Sequence, residues 1–493
     1  MRSDANPRLA HRLGRWLGMI LAAPSALAQT AAPEPPRALP AVRVDAVHLG
    51  IRPFDVPASL SVVRVDPAGS GHPGINLSES LVGVPGVLAR DRQNYAQDTQ
   101  LSIRGFGSRA TFGVRGLRVY VDGIPASLPD GQGQVSHFNL DSADRIEVLR
   151  GPFSVLYGNA AGGVVQVWTA PGTATPVTTL AVSAGSHALA RVAVDTRGTV
   201  GRFDYNVAGS LFRSSGTRTH SRVQRDSDNA RIGIDLGGGR TLTVVANRLA
   251  QPIAEDPLGL TPAQARADPR GVAAPALQFN TRKRILQHQV GGVLELPAGN
   301  ATRVRLLGYA GQRGITQFQS IPVAAQASPL SPGGVVVLDT GYGGVDARLT
   351  HDGQWAGRAY EFVAGLSGDM QRQHRRGYTN FIGPTLGVQG ALRRDEDDDV
   401  DSGDVYAQLY WDVATHWSLL LGARHADLRF RTRDHDVTPL NPDDSGRTHY
   451  AATTPAAGLE FRARDTLRLY GSYGRGFETP SFNELAYRAD VQP

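Results

Sequence analysis

The chain contains no cysteine, which removes disulfide staples and thiolate-ligated metal from its repertoire. Past residue 30 it also lacks any run of about 18 apolar residues, the length that a helical membrane span requires. Spanning by strands stays open, because a barrel strand turns only every second residue to lipid. Equally absent are H-E-x-x-H, G-x-S-x-G and any paired Cys/His ligand spacing, and the 13 histidines are dispersed. No catalytic residue is therefore assigned and no enzyme is expected. The formal net charge of +6 invites a nucleic-acid reading. The arginines are scattered, however, and no reading motif accompanies them, so no nucleic-acid partner is expected.

A length of 493 residues with 57 glycines points to more than one domain, and the pattern divides the chain into four stretches. Residues 1–28 read as a secretory signal peptide. Arg2, Arg8, Arg12 and Arg15 give a positive start, residues 16–23 a short apolar core, and Ala26-Leu27-Ala28 an A-x-A cleavage site. Residues 29–60 form a linker, Ala/Pro-rich and extended over 30–40, that alternates like a strand over 39–46. Residues 61–171 read as a small, glycine-rich α+β domain. Apolar-alternating runs at 101–104, 119–122, 145–149 and 164–168 are separated by Gly, Pro, Asn and Asp. One helix signal has Asn76 as N-cap, Glu79 three residues later, and Gly83 and Pro85 as a stop. Asp122-Gly123 reads as a tight turn supplying the φ > 0 position. The run from Gly158 to Gly163 lacks a Lys-Ser/Thr ending and precedes a strand, so it is not a phosphate loop.

Residues 172–493 change to long dyad strands. Phe203, Tyr205, Val207 and Leu211 alternate with Asp204, Asn206 and Ser210. Val304, Leu306 and Ala310 alternate with Arg303, Arg305 and Tyr309. Val405, Leu409 and Trp411 alternate with Tyr406, Gln408 and Tyr410. Leu467, Leu469 and Tyr473 alternate with Arg468 and Tyr470. A transmembrane barrel and a soluble β-sandwich both produce this alternation. Long inserts are expected at 251–284, 315–337 and 380–404. The last contains Asp395-Glu396-Asp397-Asp398-Asp399, which lacks the spacing and glycine of an EF-hand. A solvated charged loop is expected there rather than a Ca²⁺ site, and no metal ligand is assigned.

Four motifs in order, LSIRGFG (101–107), LRVYVDGIP (117–125), DRIEVLRGP (144–152) and LYGNAAGG (156–163), resemble the plug domain of TonB-dependent outer-membrane receptors. The stretch YGSYGRGFETPSFNELAYR (470–488) is similar to the same family's barrel. The resemblance, with the signal peptide, favours the barrel reading. It implies a mainly β fold: a transmembrane antiparallel β-barrel, about 22-stranded when complete, with an N-terminal α+β plug. Roughly 12–14 strands follow residue 172, so a C-terminally truncated receptor is expected. The implied location is the bacterial outer membrane. The implied function is TonB-dependent import of a scarce chelated nutrient, foremost a ferric siderophore. Cobalamin, heme, copper chelates and carbohydrates are alternative cargoes. Rival readings are a passive porin-like channel, a surface binding receptor without energy coupling, and a non-functional truncated receptor.

The resemblance further implies partners and sites. A TonB-type coupling protein would add a strand by β-augmentation at the TonB-box-like segment Ala41, Val42, Arg43, Val44 and Asp45. The other partners are a small-molecule chelate and outer-membrane lipid. No cofactor is implied; an iron chelate would be cargo. Arg104 and Arg150 in the plug and Glu478 in the barrel wall are the candidate plug–barrel lock; the alternative is that the two arginines pair with plug carboxylates such as Glu147 and Asp144. The plug segments 105–113 and 127–134, with Phe106, Arg109, Phe112, Asp130 and Gln132, are the candidate ligand-facing loops.

Overall fold

The computed structural model describes residues 53–66, 71–110, 113–482, 484 and 485. The signal peptide, the segment from Ala41 to Asp45, and Phe112 fall outside the described residues. The plug comprises β1 (Ser59–Arg64), helix α1 (Leu77–Leu81), β2 (Val87–Arg90), β3 (Gln100–Ile103), β4 (Leu117–Val121), β5 (Ile124–Pro125), β6 (Ala143–Arg150) and β7 (Gly163–Thr169). Five of these form one sheet in the order β1-β6-β7-β4-β5, while β2 and β3 pair separately. β4 and β7 run parallel and the other neighbours antiparallel.

Local chemistry explains these elements. The Glu79 carboxylate accepts from the backbone N–H groups of Gly74, Ile75 and Asn76 at 2.7–3.0 Å, satisfying donors that a helix start leaves open. Asp122 and Gly123 both have positive φ, +51° and +78°, the pairing a two-residue hairpin between β4 and β5 demands. β7 is buried along almost its whole length, as befits a central strand covered on both faces. On one face Ile146, Val148, Val165 and Val119 pack with Leu77, Leu81, Leu101 and Ile103. On the other, Leu149, Phe153, Leu156 and Val164 pack against Val363, Tyr406, Tyr410 and Leu420 of the barrel wall. One face of the plug sheet therefore shares its core with the barrel.

The barrel strands are β8 (Val177–Gly185), β9 (Leu189–Val200), β10 (Phe203–Ser214), β11 (Val223–Gly237), β12 (Arg240–Glu255), β13 (Arg282–Pro297), β14 (Thr302–Phe318), β15 (Val335–Trp355) and β16 (Arg358–Tyr378). A small hairpin, β17 (Phe381–Ile382) and β18 (Thr385–Leu386), precedes β19 (Leu392–Ala414), β20 (Trp417–Asp434), β21 (Gly446–Arg464) and β22 (Leu467–Gly474). Apart from that hairpin they form one 13-stranded antiparallel meander from β8 to β22. Short helices α2 (Pro262–Ala267) and α3 (Ala274–Gln278) interrupt the β12–β13 connection, and α4 (Val323–Gln326) the β14–β15 connection. Short turns such as 238–239, 356–357 and 415–416 gather at one end and long loops at the other.

Side-chain polarity separates the barrel from a soluble sandwich. The inner face buries Asn206, Asn229, Asn247, Gln287, Gln371 and Gln408, while Leu306, Val345, Leu366, Val405 and Leu469 stand exposed outside. A soluble sandwich would reverse that arrangement. Near the short-turn end, Trp355 stacks on Trp411 at 4.5 Å and Trp417 packs on Phe461 at 4.7 Å, an aromatic girdle of the kind that marks a membrane interface.

The expected inserts are shorter than the sequence pattern implies. β12 extends to Glu255 and β13 starts at Arg282; β14 reaches Phe318 and β15 starts at Val335. The acidic run at 395–399 is not a loop: it lies inside β19, with Glu396 and Asp398 turned inward and Asp395, Asp397 and Asp399 outward. Its outward carboxylates face β16, whose Arg372, His374 and Arg376 stand opposite Asp399, Asp397 and Asp395.

Candidate functional site

Three sets of contacts hold the plug inside the wall, and each starts from a polar side chain on a plug element. In the middle of the lumen, Arg118 on β4 stands 3.5 Å from Asp369 on β16. Asp369 also accepts from the Tyr309 hydroxyl at 2.7 Å, and Arg118 reaches the Leu128 carbonyl and Tyr120 hydroxyl. Alongside, Arg424 on β20 donates to Asp404 at 2.8 Å, to Ser367 at 2.9 Å and to the plug carbonyl of Leu156 at 2.8 Å. Arg118, Tyr120, Tyr309, Ser367, Asp369 and Arg424 border a cavity of about 50 Å³. Arg118 and Asp369 have side-chain exposures of 5% and 7%, so each depends on the other for its charge.

A second set ties the plug to the chain just after β22. Arg115 donates to the Thr479 carbonyl at 2.7 Å and the Glu484 carboxylate at 2.8 Å, with Glu478 at 3.6 Å. Asn159 makes a reciprocal pair with Thr479: its amide donates to the Thr479 hydroxyl at 2.7 Å and its oxygen accepts the Thr479 N–H at 2.9 Å. An asparagine has both donor and acceptor, so it can read backbone and side chain of one residue together. Gly116, beside Glu478, has φ +66°, a left-handed backbone that favours glycine.

The third set lies at the long-loop end. Asn94 and Gln97 donate to Asp256, and Gln251 to the Tyr95 carbonyl. Lys283 pairs with Asp98 at 3.1 Å. Burial raises the Asp98 carboxyl, but Lys283, with Arg313 and the Gly113 N–H, outweighs that and holds it below its ordinary value. Arg225 and Arg313 from the wall grip plug residues 134–136 through Ser136 and Gln134. Between them His137 is fully buried; burial first, then Arg313 and Arg225, push its imidazole down to about 3. In register with Arg225 through Phe212 on β10, Arg191 forms a buried ion pair with Asp141.

Of the residues singled out in the sequence, Arg104 has φ +50° and is exposed, its N–H bonded to the Gly86 carbonyl. Arg150 is buried within the plug and donates to the Ser59 carbonyl, the Ser61 hydroxyl and the Pro85 carbonyl. Glu478 stands beside Arg115, and the structure does not bring Arg104 or Arg150 to it. Phe106 and Arg109 are exposed. Asp130 is buried and accepts from the Gln132 N–H at 3.0 Å. Sequence reasoning missed Arg115, Arg118, Asp141 and Asn159; the one available signal was at Arg118, a charge inside a strand otherwise filled by Leu, Val and Tyr, since the other three lie outside the strands.

Asp130 yields a pH prediction. Burial pushes its carboxyl from 3.8 up to about 6, against the Gln132 N–H and Arg115. The unfolded chain releases this proton near 3.8 and the folded chain near 6. Stability from this group is thus greatest below pH 4 and is lost as pH rises to about 6. Asp130→Asn is expected to match the wild type at pH 4 and to exceed it at pH 7.5 by up to about 3 kcal/mol. Thermal unfolding in detergent at the two pH values measures this; an unchanged gap would refute it.

Comparison with known proteins follows the same division. Residues 52–164 match the TonB-dependent Receptor Plug Domain and residues 202–493 the TonB dependent receptor-like β-barrel. The ferric enterobactin receptor of Pseudomonas aeruginosa is 31% identical over 125 residues, covering 22% of this chain and 16% of that protein. The ferrienterobactin receptor of Escherichia coli K12 is 30% identical over 128 residues, covering 23% and 16%. Among solved structures, the unliganded ferric citrate transporter FecA superposes with a TM-score of 0.73 at 19% identity, covering 87% of this chain and 64% of that one. The open form of the ferric-catecholate import receptor Fiu from E. coli K12 gives 0.69 at 13% identity, covering 89% and 72%. These superpositions establish the fold. The sequence matches span 16% of the length of each of the two curated relatives.

Proposed function

Because this chain belongs to the TonB-dependent receptor family, whose members are transporters of the bacterial outer membrane, we propose that it imports a chelated nutrient, foremost a ferric siderophore, across that membrane. The observation that carries this reading is the filled lumen. The plug shares its core with the wall and is fixed to it by buried ion pairs at Arg118–Asp369 and Asp141–Arg191. A passive channel requires an open lumen; a plug held this way requires work to move it. Relatives named for ferric enterobactin support an iron chelate as cargo.

The proposed domain scheme is a signal peptide at 1–28, a periplasmic linker at 29–60, the plug at 61–171 and the barrel from 172. Ligand meets the long loops and the plug segments 105–113 and 127–134, through Phe106, Arg109, Phe112 and Gln132, while the buried Asp130 holds the second segment from within. Arg115 and Asn159, with Glu478 and Glu484, hold the plug against the wall. Arg150 ties β1 to the Pro85 turn and Arg104 holds the adjacent turn at Gly86, so both are disturbed once β1 is drawn away. The coupling protein engages residues 41–45 by strand addition. No covalent step is needed, so the protein acts without a catalytic residue or a resident cofactor.

Deleting residues 41–45 tests this reading. Binding of a ferric siderophore to cells should persist, while energised uptake falls to the level seen with an uncoupler. Uptake at the wild-type rate would sink the coupling assignment.

A further inference from the structure

The outward surface of β15, β16 and β19–β21 changes character along its length. From the Trp355–Trp411 and Trp417–Phe461 pairs, the band continues upward through exposed Val345, Leu366, Val405, Leu421 and Leu459. Above it the same face becomes charged. Strand β20 places Arg429, Arg431 and Arg433 outward, and the register sets Arg431 directly opposite Arg447 on β21. Like charges placed opposite one another destabilise a strand pair.

The surrounding charges are already committed. Arg429 pairs with Asp427, which also holds His449. Asp399, the β19 residue beside Arg431 in register, is engaged by Arg372 and by Arg433. Arg376 pairs with Asp339, and His374 and His435 with Asp395 and Asp397. Both Arg431 and Arg447 are exposed, and among the described residues neither side chain has a hydrogen bond or ion pair.

Height above the girdle fixes what lies beside them. Trp417 and Arg431 are on one strand. At ~3.4 Å per residue and a tilt of roughly 40°, Arg431 stands about 36 Å above the lower girdle, against an apolar band ~25 Å tall. Arginine side chains reach several ångströms back toward the interface. The neighbour at that level is the headgroup layer of the outer leaflet.

We propose that Arg431 and Arg447, flanked by Arg429 and Arg433, bind a phosphate of an outer-leaflet lipid headgroup. A guanidinium matches a phosphate bidentately, and one phosphate between the two arginines turns a repulsive cross-strand pair into a bridge. Outward arginines recur around the wall: Arg248 is neutralised by Asp228, and Arg284 on β13 stands opposite Thr316 on β14. Arg431 and Arg447 differ in facing one another directly across a strand pair.

The test uses purified full-length chain in detergent with diphosphorylated lipid A as the probe, read by native mass spectrometry. Wild type should retain this lipid and should retain its dephosphorylated form at least about tenfold less. The double variant R431Q/R447Q should lose retention of the phosphorylated form by at least about tenfold, whereas R240Q, beside a short turn at the opposite end, should not. Heat-modifiable migration on gels checks that each variant is folded. Lipid A should raise the thermal midpoint of wild type and not that of R431Q/R447Q. Equal retention of the two lipids by wild type, or of phosphorylated lipid by wild type and R431Q/R447Q, would overturn the proposal. No step measures transport, so failure here leaves the import reading standing, and the reverse also holds.

Discussion

Replacing Arg118 with methionine is expected to destabilise the plugged barrel by about 3–5 kcal/mol, because it leaves Asp369 as an unpaired buried charge. The two side chains are almost wholly excluded from water, so solvent does little to screen the loss. Tyr309 would still donate to Asp369, but one neutral donor does not replace a guanidinium. Asp369→Asn should cost a comparable amount: its amide oxygen can still accept from Arg118 and Tyr309, but it leaves the Arg118 guanidinium as the unpaired buried charge. Removing both charges with R118M/D369L should recover most of the loss, as the pair is costly to bury even when intact. A double-mutant cycle on thermal unfolding isolates the coupling. A second readout is conductance in planar bilayers. If the pair holds the plug, R118M should pass transient currents that the wild type does not. A single variant as stable as the wild type, with a silent bilayer, would show that the pair is incidental to plug retention.

Much of the plug was legible in the chain. The runs at 101–104, 119–122, 145–149 and 164–168 correspond to β3, β4, β6 and β7 within a few residues. These strands are short, apolar and punctuated by Gly, Pro and Asp, so pattern and turn chemistry agree. In the barrel, alternation located β10, β14, β19 and β22 because their outward residues meet lipid. The same rule explains the error at the acidic run. Where a strand rises above the membrane, its outward face meets water and its inward face meets the plug or lumen. Both faces are then polar and the dyad signal vanishes, so β19 reads as a loop from Arg393 to Asp404 although it is continuous from Leu392.

The locking contacts were not legible for a different reason. Arg115 meets Glu484 across 369 residues of sequence and Arg118 meets Asp369 across 251, and no local pattern encodes which wall residue faces which plug residue. Motif resemblance drew attention to Arg104 and Arg150, where arginine precedes glycine. The backbone explains the first of these: Arg104 and Gly105 both have positive φ, so the chain turns sharply and the side chain is left exposed. Arg150 instead reaches β1 and the Pro85 turn, contacts internal to the plug. Glu478 was visible as a carboxylate in the barrel-like stretch, but its neighbour Arg115 lies between the first two plug motifs and within neither.

The absence of cysteine allows the largest expected effect to be measured cleanly. Asn159 and Thr479 touch through two hydrogen bonds, of 2.7 and 2.9 Å, one side on the plug and the other on the chain after β22. Cysteines at both positions, closed by oxidation or by a short thiol bridge, would tie plug to wall with no competing thiol in the protein. Each substitution alone removes hydrogen bonds worth about 1 kcal/mol apiece, which the shared apolar core can absorb. The bridged form should bind ferric siderophore as the wild type does and fail to take it up. Reduction should restore uptake. Pulling on the N-terminal side can extend plug residues before Asn159, but it cannot carry Asn159 away from Thr479 while the bridge holds. Full uptake with the bridge intact would therefore confine the moving part to the plug before Asn159 and leave the Asn159–Thr479 contact as a fixed hinge. Loss of uptake only in the oxidised form would make that contact one that must open in every transport cycle.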